Sequence, residues 1–316
     1  MKKITLEEHF LLPDLPMPII KSVLDPEFAA RMMTRLLDFE QFRLPEMDAH
    51  EIAMQILSLP AGIQMEADTS EAIKKAKQAN DGLAELVCKY PTRFAGLAAL
   101  PLQDPEVAAE ELERAVTQLG LKGAMVNGHT HGEMLDEQKY WVMWERAEAL
   151  GVPIYLHPGG ELPGQVNKIY DGYPELLGPT WNWGCETAAY ALRLLFSGIF
   201  DAFPQLTLIL GHMGEMLPFI LWRLDSRVKI SAGKSQIKKP PSQYIKENIW
   251  ITTSGQAAME PLQCAMSGLG VDHMLFAVDY PFENTEDAAS FIENAPMSDA
   301  DKAKICHLNA ERLFRL

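Results

Sequence analysis

Glu7 and His9 stand two residues apart at the end of a short apolar run, Ile4–Glu7, in the sequence LEEHF. In an extended chain, residues i and i+2 share a face. Glu7 and His9 therefore point one way and Glu8 the other. Three more polar residues end β-rich runs far apart in the chain: His157, His212 and Asp279. One Glu, two or three His and one Asp drawn together make a divalent-metal site. Neutral imidazole and carboxylate suit Zn2+, Mn2+ or Fe2+. Two carboxylates and few sulfurs lean toward a harder ion, Mn2+ or Mg2+, with zinc still open. A single His at a strand end more often caps it through hydrogen bonds. Five polar residues at matching ends favour ligation.

The elements that must gather them alternate along the chain. Strand-like runs are Ile4–Glu7, Gln55–Leu59, Phe94–Ala99, Gly123–Asn127, Pro153–His157, Thr207–Gly211, Ile249–Thr253 and Met274–Asp279. Most are apolar on consecutive residues, as strands covered on both faces are. Helical patterns fall between them at Asp68–Tyr90, Pro105–Leu119, Gln138–Leu150 and Thr187–Phe203, and Ser298 is placed to cap a last helix reaching about Arg315. Eight strands with helices between them predict an α/β fold, one (β/α)8 barrel over residues 1–316. The alternative is an open doubly wound sheet, which the lack of GxGxxG or GxxxxGK[ST] after the first strand disfavours. Segments 10–53 and 158–186 are long for barrel loops. Both leave C-terminal strand ends, where barrel sites lie, and read as site walls, subunit contacts or plain insertions.

The chain carries 28 Lys and Arg against 43 Asp and Glu, a net charge of −15. That balance argues against nucleic acid or an anionic membrane as main partner. The hydrophobic fraction of 47% is that of a globular protein. No apolar run is long enough for a membrane span, and MKKITLEEHF turns acidic too soon for a secretory signal. Cys88, Cys185, Cys264 and Cys306 lie far apart with no CxxC, which reads as free thiols in a reducing cytoplasm.

Other candidates weigh less. Strand four ends in Asn127 where a bridging carboxylated Lys would hold a second metal, so one ion is expected. His129 and His131 follow that strand and read as substrate-loop or solvated residues before ligands. His50, His273 and His307 read as structural. Trp141, Met143 and Trp144 read as core. Trp181 and Trp183 suit either a pocket wall or a subunit contact. Ser254 has no general base beside it in sequence and is not taken as a nucleophile.

LEEHF, YLHP at Tyr155–Pro158, ALRLLFSGIFDAFPQLTLILGHMGE at Ala191–Glu215, ITTSG at Ile251–Gly255 and VDYPFE at Val278–Glu283 together resemble the amidohydrolase-related decarboxylases. That group includes the γ-resorcylate, 2,3-dihydroxybenzoate and 5-carboxyvanillate enzymes. The resemblance spans nearly the whole chain. It implies a distorted (β/α)8 barrel of the amidohydrolase type with one divalent ion at its mouth, held by Glu7, His9, His157 and Asp279. It makes His212 and Glu215 a catalytic pair. It places Arg223 near the site, often at a subunit interface, and Asn127 and Phe282 in the substrate pocket. It also implies a dimer or tetramer. His129, His131, Gly159-Gly160 and Tyr190 depart from the pattern, leaving the ligand set intact and the ring substitution open.

The reaction so implied is non-oxidative decarboxylation of an ortho-hydroxylated aromatic carboxylate, a carbon–carbon lyase step of aromatic catabolism, reversible at high bicarbonate. Direct loss of CO2 would leave an aryl carbanion. Protonating the carboxyl-bearing carbon first avoids it, and the ortho hydroxyl feeds electrons into the ring. Asp279 is the expected proton donor, with His212 the alternative. The phenol is its own electron sink, so no organic cofactor is expected. The rival reading uses the same site to hydrolyse a lactone, ester or amide, with His212 as base. A catalytically dead binding barrel is a third, against which the intact ligand set argues.

Overall fold

The computed structural model describes residues 1–15, 25–60, 62–159, 168–233 and 237–316. Eight strand positions follow in order: β1 Lys3–His9, β2 Ile52–Ser58, β3 Phe94–Gly96 resuming as Ala98–Ala99, β4 Ala124–Asn127, β5 Ile154–His157, β6 Leu208–Leu210, β7 Ile249–Thr252 and β8 Met274–Leu275. Each pairs in parallel with the next, the two halves of β3 serving β2 and β4 in turn. A parallel bridge between Leu6 and Ala277 brings the end of the series back to its start. The expected (β/α)8 arrangement is the one observed.

Alternation along the strands separates two cores. Met125, Tyr155, Ile209 and Trp250 pack with Ile4, Leu6, Ile56 and Leu275. Their neighbours Ala124, Val126, Ile154, Leu156, Leu208, Leu210, Ile249 and Ile251 join a second, larger cluster with the helices. The first set fills the barrel and the second lies between strands and helices, as parallel strands buried on both faces require. Two residues beyond the inner Met125 and Tyr155 stand Asn127 and His157, which therefore face the mouth.

β1 obeys this rule only through a break. Counting by twos from Ile4 and Leu6 would put Glu8 inside. The β1–β2 register shifts between Thr5 and Glu8, and Glu7 adopts φ 58°. This irregularity flips the parity. Glu7 and His9 turn to the mouth, as expected, but by a bulge and not by regular alternation.

Several boundaries differ from expectation. The segment 10–53 is not a loop: it holds α1 Pro26–Leu37, started by the Asp25 cap, and α2 Arg43–Ala49. Residues 16–24 of it lie outside the described residues. α3 Thr69–Lys89 and α4 Pro105–Thr117 begin at the Asp68 and Asp104 caps. α5 Trp141–Leu150 ends at Gly151 with φ 63°. α6 Asn182–Ser197 starts before the expected Thr187 and stops at Gly198, φ 86°. The insertion 158–186 therefore ends inside a helix, and of it residues 160–167, with the noted Gly160, lie outside the described residues. α7 Leu217–Val228 follows β6. β8 is shorter than expected, so Asp279 stands beyond it in a loop, with φ 77°. Ser298 does cap the C-terminal helical stretch, which passes through a π turn at Lys304–Leu308.

Candidate metal centre and active site

The mouth of the barrel gathers the predicted ligands. Donor atoms of Glu7, His9 and His157 all lie within 4.8 Å of one another, and all three residues are buried. His157 Nε2 is 3.4 Å from Glu7 Oε1, and His9 Nε2 is 3.4 Å from Asp279 Oδ1. His157 Nδ1 faces the Pro158 carbonyl at 2.8 Å, and His9 Nδ1 faces Ser58 Oγ at 3.4 Å. Both rings therefore turn Nε2 toward the common centre, the arrangement in which an outer partner fixes a ligating imidazole. Glu7 Oε1 and His9 Nε2 are buried with no hydrogen-bond partner among the described residues. Buried polar atoms are rarely left so. Two orphaned donor atoms converging with a second imidazole and a carboxylate fit a divalent cation.

Electrostatics divide the group. Burial raises the Glu7 carboxyl above the usual carboxylate range. Burial and the His9 ring push His157 down to about 3, keeping it a neutral lone-pair donor. For Asp279, burial opposes ionisation, but the neighbouring His212 and His9 rings hold it below its ordinary value. Burial likewise opposes charge on His212, and the carboxylates of Glu7 and Glu215 override it, raising that ring well above the ordinary histidine range.

His212 and Glu215 owe their meeting to an unusual backbone. Residues His212, Met213, Gly214, Glu215 and Met216 have φ of 49°, 57°, 79°, 51° and 65°. A left-handed residue other than Gly costs roughly 1–2 kcal/mol, and such strain concentrates at functional sites. The turn brings His212 Nδ1 to 2.7 Å from Glu215 Oε1. It leaves Nε2 at 3.7 Å from Asp279 Oδ2 and 3.8 Å from Glu7 Oε1. His212 is thus set in a turn past β6, not at the strand's end.

Beneath these groups runs a polar floor. The Tyr155 hydroxyl donates to Glu7 Oε2 and meets Thr252 Oγ1 at 3.1 Å. Thr252 Oγ1 meets Ser254 Oγ at 2.8 Å, and Ser254 Oγ accepts the His212 N–H at 3.1 Å. Ser254 thus positions the turn. Gly211 leaves room here: a Cβ would lie 2.9 Å from Glu7 Oε2.

The rim holds most of the remaining candidates. The Phe282 ring meets the His9 ring edge-on, 5.5 Å between centroids. Asn127 spends its Nδ2 on the Pro158 carbonyl at 2.8 Å and lines a cleft with Leu59, Gln64 and Met125. His129 is half-buried beside Tyr190, its Nδ1 accepting from Gly132 N–H, while His131 is exposed. Arg223 is exposed on α7 and forms no ion pair among the described residues. Within one chain it does not join the ligand cluster.

Sequence reasoning missed Tyr155, Gln64 and Arg43. Tyr155 carried a signal, since it stands two before His157 on the inward face. Gln64 sits in a short turn, Ile63–Met65, yet its amide bonds Asn127 N–H at 2.6 Å and the Asn127 and His129 carbonyls at 3.1 Å each, fixing the end of β4. Nothing in the sequence marked it.

The amidohydrolase family model matches residues 8–316. A γ-resorcylate decarboxylase from Polaromonas sp. (strain JS666 / ATCC BAA-500) is 47% identical, covering 99% of this chain and 98% of its own. A crystal structure of 2,6-dihydroxybenzoate decarboxylase complexed with 2,6-dihydroxybenzoate superposes with a TM-score of 0.94 at 44% identity, covering 100% of this chain and 99% of its own. A dihydroxybenzoic acid decarboxylase from Polaromonas sp. JS666, with manganese and 2-nitroresorcinol bound, gives 0.93 at 46% identity, covering 100% and 97%. The chain belongs to the amidohydrolase family, in its group of decarboxylases, and is a carbon–carbon lyase.

Proposed function

We propose that this chain removes CO2 non-oxidatively from an ortho-hydroxylated benzoate of the 2,6-dihydroxybenzoate kind, with one divalent ion held by Glu7, His9, His157 and Asp279. The observation that carries the reading is the convergence of those four side chains beside the His212–Glu215 pair on one barrel rim. Full-length likeness to decarboxylases bound to dihydroxybenzoate and to manganese supports the substrate class and favours Mn2+ over Zn2+ or Mg2+.

Bound there, a divalent ion would supply Lewis acidity toward an anionic substrate. The chain's own groups then move one proton. Asp279, ionised at rest, takes it from the charged His212 ring and delivers it to the ring carbon that bears the carboxylate. His212 Nε2, 3.7 Å from Asp279 Oδ2, is the partner across which that proton is held, or the donor in its place. Glu215 fixes the His212 ring through Nδ1. With the carbon protonated, the C–C bond breaks, CO2 leaves, and its electron pair restores the aromatic ring. Phe282 offers an apolar wall beside His9. No step draws on an organic cofactor.

Two further parts of the reading concern assembly and place. α7 leaves Phe219 81% and Trp222 77% exposed beside Arg223, with Ile230 70% exposed just past its end. Large exposed apolar side chains of this kind mark contact surfaces, which supports a homo-oligomer with Arg223 at or near the join. All four cysteines are free thiols, which supports a reducing cytoplasm.

The test is a panel of 2-hydroxybenzoates incubated with Mn2+- and Zn2+-loaded protein, with product mass as readout. Loss of one CO2 per turnover is expected. A metal-replete chain that releases none, yet opens a lactone rapidly, overturns the reading in favour of hydrolysis.

A further inference from the structure

The barrel closes on a thin seam. β1 and the chain after β8 share the Leu6–Ala277 bridge and one backbone bond, from His9 N–H to the Tyr280 carbonyl at 2.7 Å. His9 comes from one side of this seam and Asp279 from the other, so its width decides how far apart two of the four ligand side chains stand.

A buried side-chain relay spans the same seam. Arg43, at the start of α2, is 0% exposed. Its Nη2 donates to the His9 carbonyl, and its Nη1 donates to Gln55 Oε1 at 3.0 Å. Gln55 Nε2 donates to Glu8 Oε2 at 3.0 Å, and Glu8 Oε1 accepts the Val278 N–H at 3.0 Å. The guanidinium also lies over the Tyr280 ring, 4.2 Å from its centroid. Asp279 is therefore held at both neighbours, Val278 through Glu8 and Tyr280 through Arg43. His9 is held at its own carbonyl. Asp279 needs such bracing, because its φ of 77° is one a non-glycine residue rarely keeps unaided.

Core filling does not explain a guanidinium here. A buried ion costs several kcal/mol to desolvate, and apolar residues of like volume often serve stability as well or better. What apolar atoms cannot do is fix two peptides at set distances by directed bonds.

From this geometry we propose that Arg43, acting through Gln55 and Glu8, is a positioning residue that sets the separation of His9 and Asp279 across the closing seam. It touches neither the ion nor the substrate. The inference rests on the metal reading of the four ligands given above.

The experiment titrates Mn2+ into metal-stripped protein by calorimetry and follows bound Mn2+ by electron paramagnetic resonance, well below the unfolding temperature. Wild type, Arg43→Met, Arg43→Lys and Gln55→Leu are compared. Loss of an outer partner typically weakens a metal site by about 10–100-fold, and that is the loss expected in Arg43→Met. At saturating Mn2+ its kcat should fall at least about tenfold, with KM for the aromatic acid within about threefold, since the pocket wall is untouched. Arg43→Lys should recover part of both, and Gln55→Leu should show a smaller loss of the same kind. A merely structural Arg43 would lower the unfolding temperature but leave metal affinity and the resonance spectrum of the folded protein unchanged, which overturns the proposal. Should Arg43→Met not fold, Gln55→Leu decides alone: wild-type affinity there overturns the relay. Failure of both to fold assigns the network to stability and also overturns it. Wild-type protein that binds no Mn2+ would instead remove the metal reading itself, and this inference with it.

Discussion

His212 Nδ1 stands 2.7 Å from Glu215 Oε1 because the five residues from His212 to Met216 all turn left-handed. A right-handed turn also brings i and i+3 to one side, but it would aim the pair elsewhere relative to β6. The left-handed turn fixes the imidazole with its far nitrogen toward Asp279 and Glu7. His212→Asn should lower kcat by about 10²–10⁴-fold, the range for a lost acid–base group, while the protein still binds one Mn2+. Glu215→Gln keeps a hydrogen-bond acceptor and should cost less. Equal Mn2+ content with near-normal turnover in His212→Asn would show that the pair is not used.

Metal removal separates fold from chemistry. Stripping with a chelator should abolish CO2 release while far-ultraviolet circular dichroism stays the same, because the two cores that hold the barrel do not include the ligand atoms. Added Mn2+ should restore turnover. In deuterated water the product should carry one deuterium, at the carbon that lost CO2. Asp279→Asn should lose turnover by at least about 10²-fold, since an amide gives no acidic proton. Deuterium elsewhere on the ring, or none, would contradict proton delivery at that carbon.

The barrel was legible because its strands are apolar on consecutive residues and its helices announce themselves by caps such as Asp68 and Asp104. The placement of His157 at the mouth was legible because it ends an apolar strand-like run, in step with the pleat. The details that failed are those where the backbone leaves its regular path. Nothing in EEH tells that the strand bulges at Glu7. Nothing in GHMGE tells that the turn is left-handed, though Gly214 is consistent with it. Arg43 lay hidden in a segment read as a loop, because α2 is only seven residues long and has no side-chain cap. Tertiary bonds, not local pattern, hold such pieces.

Thiol reactivity offers a check on burial independent of activity. Cys88 is exposed, whereas Cys306 is buried and burial pushes its thiol up to about 11. The thiolate is the reacting species. At pH 8 an aromatic disulfide reagent should modify Cys88 in the native protein quickly and Cys306 only after unfolding. A folded-state value above the unfolded one favours the neutral thiol, so its contribution is present below about 9, the ordinary value, and is lost as pH rises through about 11. Rapid native labelling of Cys306, read by peptide mass, would contradict the packing of the C-terminal π turn.

Two substitutions act on the surroundings of Glu7 and should therefore move metal binding. The Tyr155 hydroxyl donates to Glu7 Oε2, while the Tyr155 ring packs in the barrel interior among Met125, Ile209 and Trp250. Tyr155→Phe keeps the packing and removes the donor. The Glu7 carboxylate is then buried with one oxygen stripped of its partner, at a cost of about 1–3 kcal/mol. Burial already disfavours the charged form, so the loss falls on the very state a cation needs. Gly211→Ala acts from the other side, because its Cβ would press within 2.9 Å of Oε2 and 3.0 Å of the Tyr155 hydroxyl. The carboxylate must shift or the strand end must move. Mn2+ affinity should fall about 10–100-fold in each, and Gly211→Ala should lose more turnover than Tyr155→Phe, since Gly211 also begins the turn that carries His212. Isothermal titration of stripped protein with Mn2+, set beside kcat at saturating metal, measures both. Wild-type affinity in both variants would mean that Glu7 is not held by this floor and that its aim toward the centre comes from the bulge in β1 alone.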